Sequence, residues 1–561
     1  MRNLVPARWR PMMRVETLLL VVLGWLVVAT NGSWWAAVSS GRAWSDAWSW
    51  VFIGCMSAAL VALHFVLIAP FASRWTVRPV LSALVVASAA ASWYMRTYAV
   101  IMDPEMVRNV LVTDTREARE LLSWSMAGWV LLLSAPPLAF TWWVRLRRFA
   151  WPRALGVRAA TLLGAVVAAA LSLWPVNRDF TSMMRNHREL RYLVTPGNLL
   201  YGLATQSAQG VRDVHAPRMP VGEDARVMHV AMASPRHRVL VLVIGETARA
   251  ANFSLLGYGR PTTPELARLD VTAFRDVKSC GTSTEVSVPC LFSEWGRAGY
   301  DERRIRQSEG LLDVLAHAGY AVKWLDNQSG CKNVCNGRGV QYEKLGAAFA
   351  PDLCDGDECY DGILVRRLQI ELDRLENEAP ADTVIVLHMM GNHGPAYYRR
   401  YPPQFRRFAP DCATAELRDC SREQVVNAYD NAILYTDHVL ASMVQALASH
   451  SSMLDSALLY VSDHGESLGE GGLYLHGLPY SIAPDTQTHV PMIAWLSRGF
   501  AADEGLNRRC LASHAGASLS HDNVFHSVLG LMDVQTSAYR VDRDLFAECR
   551  HSVTRTLAAT R

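Results

Sequence analysis

Cysteine is almost absent from the first half of this 561-residue sequence, where Cys55 stands alone in an apolar run. The sequence also lacks a strong charge imbalance, because its net charge is only +3, and this value alone favours no class of partner. The cysteines of the second half lack the regularly spaced CxxC pairs of zinc-thiolate sites, which argues against such a site. The chain is too long for one hydrophobic core, so we expect two or three domains.

The other ten cysteines all lie in the second half, several of them as close pairs in polar, loop-like sequence. An even number of cysteines beyond a membrane anchor is typical of disulfides in an oxidising compartment. The sequence alone does not determine their connectivity, and pairing between neighbours is the simplest alternative. In that alternative the pairs are Cys280–Cys290, Cys331–Cys335, Cys354–Cys359, Cys412–Cys420 and Cys510–Cys549.

Five apolar segments of about 20 residues predict a membrane domain of five transmembrane helices in residues 1–176. The first segment follows a basic leader, as a signal peptide does, but its length and the four later segments indicate an uncleaved anchor. The segments are residues 17–38, 50–72, 80–102, 121–143 and 159–175.

Arginine is concentrated before the first segment, after the second and after the fourth. The positive-inside rule therefore places the N-terminus in the cytoplasm. An odd number of spans then places the C-terminal domain on the outer side, where disulfides persist. The arginines in question are Arg2, Arg8, Arg10, Arg14, Arg74, Arg78, Arg145, Arg147, Arg148 and Arg153.

Two polar stretches connect these parts. Residues 103–120, between the third and fourth spans, are interpreted as a solvated loop. Residues 177–233 form a linker, in which residues 190–208 are either short amphipathic helices on the membrane surface or plain connecting chain. Both interpretations of that stretch remain open.

The remaining residues, 234–561, alternate strand-like apolar runs with helical periodicity, which predicts an α/β domain with a mainly parallel sheet between helices. Continuous runs of β-branched residues are typical of strands that are buried on both faces. The predicted strands are residues 239–244, 321–325, 384–389 and 457–461, and the predicted helices are residues 309–317, 361–375 and 423–448.

Three of these strands end at residues that commonly bind metals. Glu246 follows the first strand, His393 follows the third, and Asp463 and His464 follow the last. Since the carboxyl ends of parallel strands meet at one edge of a sheet, these side chains should converge although they are distant in sequence. His476 lies in a nearby glycine-rich loop. The combination predicts a divalent metal site.

Residues 278–290 contain a glycine followed by small hydroxyl residues and then a stretch that can begin a helix. A hydroxyl at that position, such as that of Thr284, would lie at a positive helix end, and beside a divalent cation it could ionise and attack phosphorus or sulfur. Serine- and threonine-rich sequence is more often a capped turn, so composition alone leaves both interpretations open.

Several motifs in the chain are long and specific. They are Gly245-Glu-Thr-Ala-Arg249, Cys280-Gly-Thr-Ser-Thr284, Asn392-His-Gly-Pro395, Ser462-Asp-His-Gly-Glu-Ser-Leu-Gly-Glu470 and Leu475-His-Gly477. Together with the five preceding spans, they resemble the lipid A phosphoethanolamine transferases of the alkaline phosphatase and sulfatase superfamily, the group that includes the mobile colistin resistance enzymes. The resemblance extends over nearly the whole chain.

The resemblance implies one tightly bound zinc ion, held by Glu246, Thr284, Asp463 and His464, with Thr284 as the covalent nucleophile. The ligand set by itself does not separate zinc from manganese. The resemblance also implies further site residues: His393 and His476 at the substrate phosphate or a second zinc, His388 in the same pocket, and Asn109 and Glu117 at the lipid head group. This replaces the solvated-loop interpretation for the last two residues.

The implied reaction is transfer of phosphoethanolamine from phosphatidylethanolamine to a phosphate of lipid A through a phosphothreonine intermediate. Such transfer lowers the negative charge of the cell surface and gives polymyxin resistance. The implied location is the inner membrane of a Gram-negative cell, with the catalytic domain in the periplasm. The protein is expected to act as a monomer and without nucleic acid.

Other functions remain open. The acceptor could be a core sugar, heptose or Kdo, or the enzyme could transfer glycerophosphate to a surface polymer with manganese. A formylglycine sulfatase is disfavoured because the chain lacks a C/S-x-P-x-R sequence. A catalytically dead receptor for lipid head groups is the non-enzymatic alternative. Glu285 departs from the family pattern, in which a small residue is expected after Thr284. A carboxylate beside Thr284 would repel phosphate unless it points away or pairs with an arginine.

Overall fold

A computed structural model describes residues 10–113, 118–119, 121–213, 218–228, 236–356, 358–378 and 381–550. The described chain forms two compact units. The first contains residues 10–113 and 122–212, and the second contains most of the remainder, from residue 213 onward.

The first unit is built from eight described helices, α1 Val15–Ala29, α2 Gly32–Ser39, α3 Ala47–Ile68, α4 Val77–Thr97, α5 Pro104–Val112, α6 Trp124–Trp143, α7 Trp151–Asn186 and α8 Gly197–Asp213. Among the described residues, four of these helices, α3, α4, α6 and α7, are long and apolar enough to cross a membrane. Helices α1 and α2 make a fifth span if the bent pair is counted as one.

The first predicted span, residues 17–38, is present as the pair α1 and α2, which are bent by 61°. Asn31 lies at the bend and is buried. Its side-chain amide donates to the carbonyl oxygens of Leu26 and Thr195, both at 3.0 Å, and its oxygen accepts from the Thr195 backbone N–H at 2.7 Å. A polar side chain that binds backbone groups in this way competes with helix continuation, so the helix breaks at this residue.

Two segments are more helical than the sequence predicted. Helix α7 continues through Pro175 to Asn186, because a proline removes only one intrahelical hydrogen bond and the polar residues after it extend the helix. Helix α8 occupies much of residues 190–208, where helix and plain linker were both open. The helical interpretation is confirmed, and its proposed place on the membrane surface stays a prediction.

The second unit contains a seven-stranded sheet. Its strands are β1 His237–Gly245, β2 Thr272–Phe274, β3 Ala321–Asp326, β4 Val340–Lys344, β5 Thr383–His388, β6 Leu454–Ser462 and β7 Met492–Leu496. Their order in the sheet is β2-β7-β6-β1-β5-β3-β4, and adjacent strands run parallel except where β7 pairs with β6 and β2. The four predicted strands are confirmed as β1, β3, β5 and β6, whereas β2, β4 and β7 were not predicted.

Helices cover both faces of this sheet, as its alternating pattern predicted. They are α9 Thr284–Leu291, α10 Glu302–Arg306, α11 Leu311–His317, α12 Gly362–Glu378, α13 Arg422–Ser449, α14 Asp485–Thr488, α15 Arg498–Asp503, α16 Arg508–Ser513 and α17 Val524–Leu531. The three predicted helices are confirmed as α11, α12 and α13. Along β1, Leu240 and Leu242 enter one hydrophobic core with α11 and α17, while Val239 and Val241 enter the other with α12 and α13.

All ten cysteines of the second half form disulfides, and the pairing is the one between neighbours. Cys55, in helix α3, is the free cysteine. Short strand pairs add local order: Met12–Met13 with Arg145–Leu146, Arg226–Val227 with Val534–Gln535, Asp276–Lys278 with Ser518–Ser520, Cys354–Asp355 with Glu358–Cys359, and Ser467–Leu468 with Tyr474–Leu475.

Candidate active site

The candidate site lies at the carboxyl ends of β1 and β6. These strands are parallel neighbours, and Gly245 lies opposite Ser462 in their register. The residues that follow, Glu246 on one strand and Asp463 and His464 on the other, are therefore brought together. One ligand atom from each of the three lies within 4.8 Å of the others, and all three side chains are fully buried. The sheet topology thus produces the convergence that the sequence predicted.

Thr284 joins this group from the first turn of α9. Its Oγ1 lies 3.0 Å and 3.3 Å from the two carboxylate oxygens of Glu246 and 3.3 Å from Nε2 of His464. The hydroxyl is at the positive end of the helix dipole, which favours negative charge on it. The disulfide between Cys280 and Cys290 encloses the turn that presents Thr284.

The hydrogen bonds of His464 fix its tautomer. Nδ1 donates to the carbonyl oxygen of Gly465 at 2.9 Å, so Nε2 carries the lone pair. Nε2 lies 3.4 Å from Oε1 of Glu246 and 3.3 Å from Oδ2 of Asp463. Burial, and next the charge of His476, lower the pKa of His464 to about 3. The imidazole is therefore neutral at physiological pH, the form that binds metals.

The carboxylate of Asp463 has one satisfied and one unsatisfied oxygen. Oδ1 accepts from the backbone N–H groups of Thr247 at 3.0 Å and His464 at 2.7 Å. Oδ2 is buried and has no hydrogen-bond partner among the described residues. An unpartnered carboxylate oxygen is costly in a protein interior unless a cation lies beside it. Because this oxygen faces a neutral imidazole nitrogen, the residues present fit a divalent metal.

Two residues that the sequence analysis did not identify also contact this group. Gln328 donates from Nε2 to Oε2 of Glu246 at 2.8 Å. Thr247 donates from Oγ1 to Oε1 of Glu246 and has a φ of 58°, which is strained for a β-branched residue. Tyr429 holds Thr247 in place by donating to its carbonyl oxygen at 2.7 Å. Gln328 follows β3, so the strand-end argument could have identified it.

Three histidines lie side by side in the site. The His476 ring centroid is 4.3 Å from that of His464 and 5.8 Å from that of His393. Burial acts to lower the pKa of His476, but the charge of Glu466 and the hydrogen bond that Nδ1 of His476 donates to its carboxylate at 3.4 Å raise the pKa to about 9. Burial lowers the pKa of His393 to about 3. Of the three histidines, His476 is therefore the one whose surroundings favour the protonated form, with Glu466 as its anionic partner.

His388, also predicted in the pocket, has a partner outside this group. Its Nδ1 lies 2.9 Å from Oδ1 of Asp326, and its ring meets Trp324 edge-on with centroids 5.3 Å apart. Burial acts to raise the pKa of Asp326, but the hydrogen bond and charge of His388, with the charge of Lys344, lower it. His388 is thus an ordered, buried side chain at the end of β5, and its role in the pocket stays a prediction.

The two predicted head-group residues belong to the segment between the third and fourth spans. Asn109 lies in α5 of the first unit, where its backbone carbonyl accepts from the Thr113 hydroxyl. Glu117 lies outside the described residues. Contact of either residue with a lipid head group therefore stays a prediction.

Glu285, the departure from the family pattern, is neutralised by two cations. Its Oε2 is 3.2 Å from Nη2 of Arg306, and its Oε1 is 3.3 Å from Nζ of Lys332. Arg306 also donates to the Glu285 carbonyl oxygen at 2.7 Å. Of the two conditions under which this carboxylate would be tolerated beside Thr284, pairing with an arginine is the one observed.

Comparisons with known proteins agree with this architecture. Residues 238–534 match the sulfatase family, and residues 60–209 match the family described as phosphoethanolamine transferase EptA/EptB. Phosphoethanolamine transferase EptA of Salmonella typhimurium is 39% identical, over 85% of this chain and 86% of that protein. Phosphatidylethanolamine transferase Mcr-1 of Escherichia coli is 35% identical, over 84% of this chain and 86% of that protein.

A solved structure of a full-length relative extends the agreement to the fold. The integral membrane lipooligosaccharide phosphoethanolamine transferase A of Neisseria meningitidis superposes with a TM-score of 0.90 at 33% identity, covering 96% of this chain and 100% of that one. The similarity includes the apolar helices as well as the sheet-containing domain. The chain therefore belongs to the phosphoethanolamine transferase family, whose catalytic domain has the sulfatase fold.

Proposed function

We propose that this protein transfers phosphoethanolamine from phosphatidylethanolamine to a phosphate of lipid A, with Thr284 as the covalent nucleophile. The observation that carries the proposal is the position of the Thr284 hydroxyl, at a helix N-terminus and within 3.3 Å of both Glu246 and His464. The donor is supported by the name of the Mcr-1 relative, and the reaction class by the names of the EptA relatives.

The residues that would hold a zinc ion are Glu246, Thr284, Asp463 and His464, since their donor atoms converge and one of them, Oδ2 of Asp463, has no other partner among the described residues. When bound, zinc would lower the pKa of the threonine hydroxyl and offset negative charge on the phosphoryl oxygens. Gln328 keeps the Glu246 carboxylate in place through its hydrogen bond at 2.8 Å.

The side chains of the chain itself account for the proton movements. Thr284 loses its proton towards the Glu246 carboxylate as its oxygen bonds to phosphorus, and the bond from phosphorus to the diacylglycerol oxygen breaks. His476, which carries a proton at neutral pH, supplies one to that leaving oxygen. In the second half of the reaction, an oxygen of a singly protonated lipid A phosphate attacks the same phosphorus as the bond from phosphorus to Thr284 breaks. Thr284 regains its proton from Glu246, and His476 regains one from the attacking phosphate.

The proposed product explains a proposed biological effect. Each transferred group adds an ammonium to a lipid A phosphate, which lowers the negative charge that attracts cationic polymyxins. Both substrates are lipids, so a membrane-spanning unit confines the enzyme to the surface that contains them. We place this unit in the Gram-negative inner membrane, with the catalytic unit in the periplasm, and zinc as the cofactor.

Mass spectrometry of lipid A from cells that express the intact chain or Thr284→Ala tests the proposal. We expect a phosphoethanolamine adduct with the intact chain and none with Thr284→Ala, at equal protein levels in the membrane. Thr414→Ala is the matched control, because it removes a threonine hydroxyl that accepts from the Glu416 backbone N–H at 3.1 Å and is not among the candidate site residues. An adduct with Thr284→Ala would refute the nucleophile. An adduct on the core sugars alone would refute the acceptor.

A further inference from the structure

Asp361 is a buried carboxylate that lies one residue before α12 and outside the candidate ligand set. Its Oδ1 accepts from the side-chain amide of Asn327 and from the backbone N–H of Met390, and its Oδ2 accepts from the backbone N–H of Gly391, all at 2.8 Å. The donors belong to two loops that are about 30 residues from Asp361 in sequence. The side chain therefore joins distant loops, whereas a helix cap would bind the first turn of α12.

The two loops follow β3 and β5, which are neighbours in the sheet, and both reach Glu246. From the loop after β3, Gln328 donates to Oε2 of the Glu246 carboxylate at 2.8 Å. From the loop after β5, the backbone N–H of Asn392 donates to the Glu246 carbonyl oxygen at 3.0 Å, and the next residue is His393. One loop thus holds the side chain of Glu246 and the other holds its backbone.

The second loop approaches Glu246 too closely to shift independently of it. Gly391 has a φ of 55°, and a Cβ added there would lie 2.5 Å from the Glu246 carbonyl oxygen and 2.9 Å from its nitrogen. Backbone in such close contact transmits a displacement rather than absorbing it. Movement of residues 389–393 would therefore move the carboxylate that faces Thr284.

The disulfide hairpin before Asp361 holds the same two loops. The carbonyl oxygen of Cys359 accepts from the Asn327 side chain at 2.9 Å. Glu358 pairs with Arg400 at 3.4 Å, and Arg400 donates to the His393 carbonyl oxygen at 2.7 Å. The Cys354–Cys359 bond closes this hairpin. Asp361 is thus one of several contacts that converge on the loops, and it binds both of them directly.

We propose that Asp361 is a positioning residue, which holds the loops after β3 and β5 so that Glu246 faces Thr284 and His393 lies beside His476. It acts through these loops and touches neither substrate nor ligand. The expected effect of Asp361 on catalysis rests on the proposed function. Its effect on the positions of the two loops can be tested without any measurement of activity.

The test compares Asp361→Asn with Asp437→Asn in the full-length protein. Asparagine keeps the shape of the side chain but turns one acceptor oxygen into an NH2 group that faces N–H donors. Asp437 is a matched control, because it is equally buried and accepts from the backbone N–H groups of Glu265 and Leu266 at 2.8 and 2.9 Å. The segment that contains Glu265 and Leu266 carries none of the candidate site residues.

For Asp361→Asn we expect faster hydrogen exchange in both loops, residues 327–330 and 389–393, and a fall in kcat of about tenfold or more with little change in KM. For Asp437→Asn we expect a similar loss of thermal stability, unchanged exchange in those loops and kcat within about twofold of the intact chain. Unchanged exchange with Asp361→Asn, or an equal fall in kcat with Asp437→Asn, would overturn the proposal.

Asn327→Ala keeps the test decisive if Asp361→Asn does not fold. It removes one of the three bonds to Asp361 together with the bond to the Cys359 carbonyl oxygen, so hydrogen exchange should rise in residues 327–330 and stay unchanged in residues 389–393. If hydrogen exchange in both loops is the same in Asn327→Ala as in the intact chain, the proposal that Asp361 holds these loops is refuted. If the intact chain transfers no phosphoethanolamine, the proposed function fails, but the exchange results still decide whether Asp361 holds the loops.

Discussion

Replacing Cys280 and Cys290 with alanine should reduce transfer far more than its effect on stability would suggest. The two cysteines are 10 residues apart and enclose the turn that presents Thr284. Opening so short a loop gives the unfolded chain little extra freedom, and the chain-entropy relation assigns it about 2.7 kcal/mol. The Cys510–Cys549 disulfide spans 39 residues, and the same relation assigns it about 4 kcal/mol.

The two double variants should therefore rank in opposite orders for stability and for activity. Without its disulfide, the turn before α9 keeps weaker ties, such as the bond from the Gly281 N–H to the Ser287 hydroxyl at 3.0 Å. An error of about 1 Å in the position of the Thr284 oxygen is expected to slow transfer by about 100-fold. The Cys510–Cys549 disulfide encloses none of the candidate ligands, so its loss should leave the rate of the folded protein nearly unchanged.

Pulse proteolysis across a urea series would measure the free energy of unfolding of each variant in the full-length protein. Initial rates of transfer to purified lipid A, under conditions where the protein stays folded, would measure activity. Activity that falls in proportion to the unfolding free energy in both variants would refute the reasoning. So would a full rate in the variant that lacks Cys280 and Cys290.

Three further predictions follow from the site and its surroundings. Removal of metal by a chelator should abolish transfer, and added zinc should restore it better than added manganese. His464→Ala should lower the zinc content of the purified protein, measured by elemental analysis. A zinc content equal to that of the intact chain would contradict the role of His464 as a ligand. Glu285→Gln should lower KM for lipid A about threefold with little change in kcat, because Arg306 and Lys332 lose their anionic partner; an unchanged KM would contradict this. Burial acts to raise the pKa of Glu371, but hydrogen bonds from Arg374 and Lys323 lower this pKa from 4.5 to about 2. The stabilisation that ionised Glu371 gives the folded protein is therefore present above about pH 4.5 and is lost as the pH falls towards 2. Unfolding free energy should thus fall by about 2 kcal/mol more in the intact chain than in Glu371→Gln between about pH 6 and 3.

The parts of the fold that the sequence predicted are those with strong, continuous patterns. Strands β1, β5 and β6 are buried on both faces, and each contains an uninterrupted hydrophobic run, residues 239–244, 384–387 and 457–461, that marks it clearly. Parallel pairing then fixes which ends meet, and this brings Glu246, Asp463 and His464 together. The pairing between neighbouring cysteines, which the sequence offered only as the simplest alternative, is the one observed, and four of the five pairs are at most 10 residues apart.

The parts that the sequence could not predict depend on tertiary contacts. Strand β2 has three residues and β4 has mainly exposed or half-buried ones, so neither shows a strong pattern. The break at Asn31 depends on Thr195, more than 160 residues away. The positive φ of Thr247 is held by Tyr429, and no local rule assigns that conformation to threonine.

The short span of the disulfides also bears on how the protein is made. Four of the five join cysteines that are at most 10 residues apart, and the fifth spans 39. As the chain is synthesised from its N-terminus, each cysteine in the second half meets its partner before any cysteine of a later pair emerges. Oxidation in order of emergence therefore gives the native pairing. Maturation of this unit should need an oxidant for its thiols but little help from an isomerase that reshuffles wrong bonds.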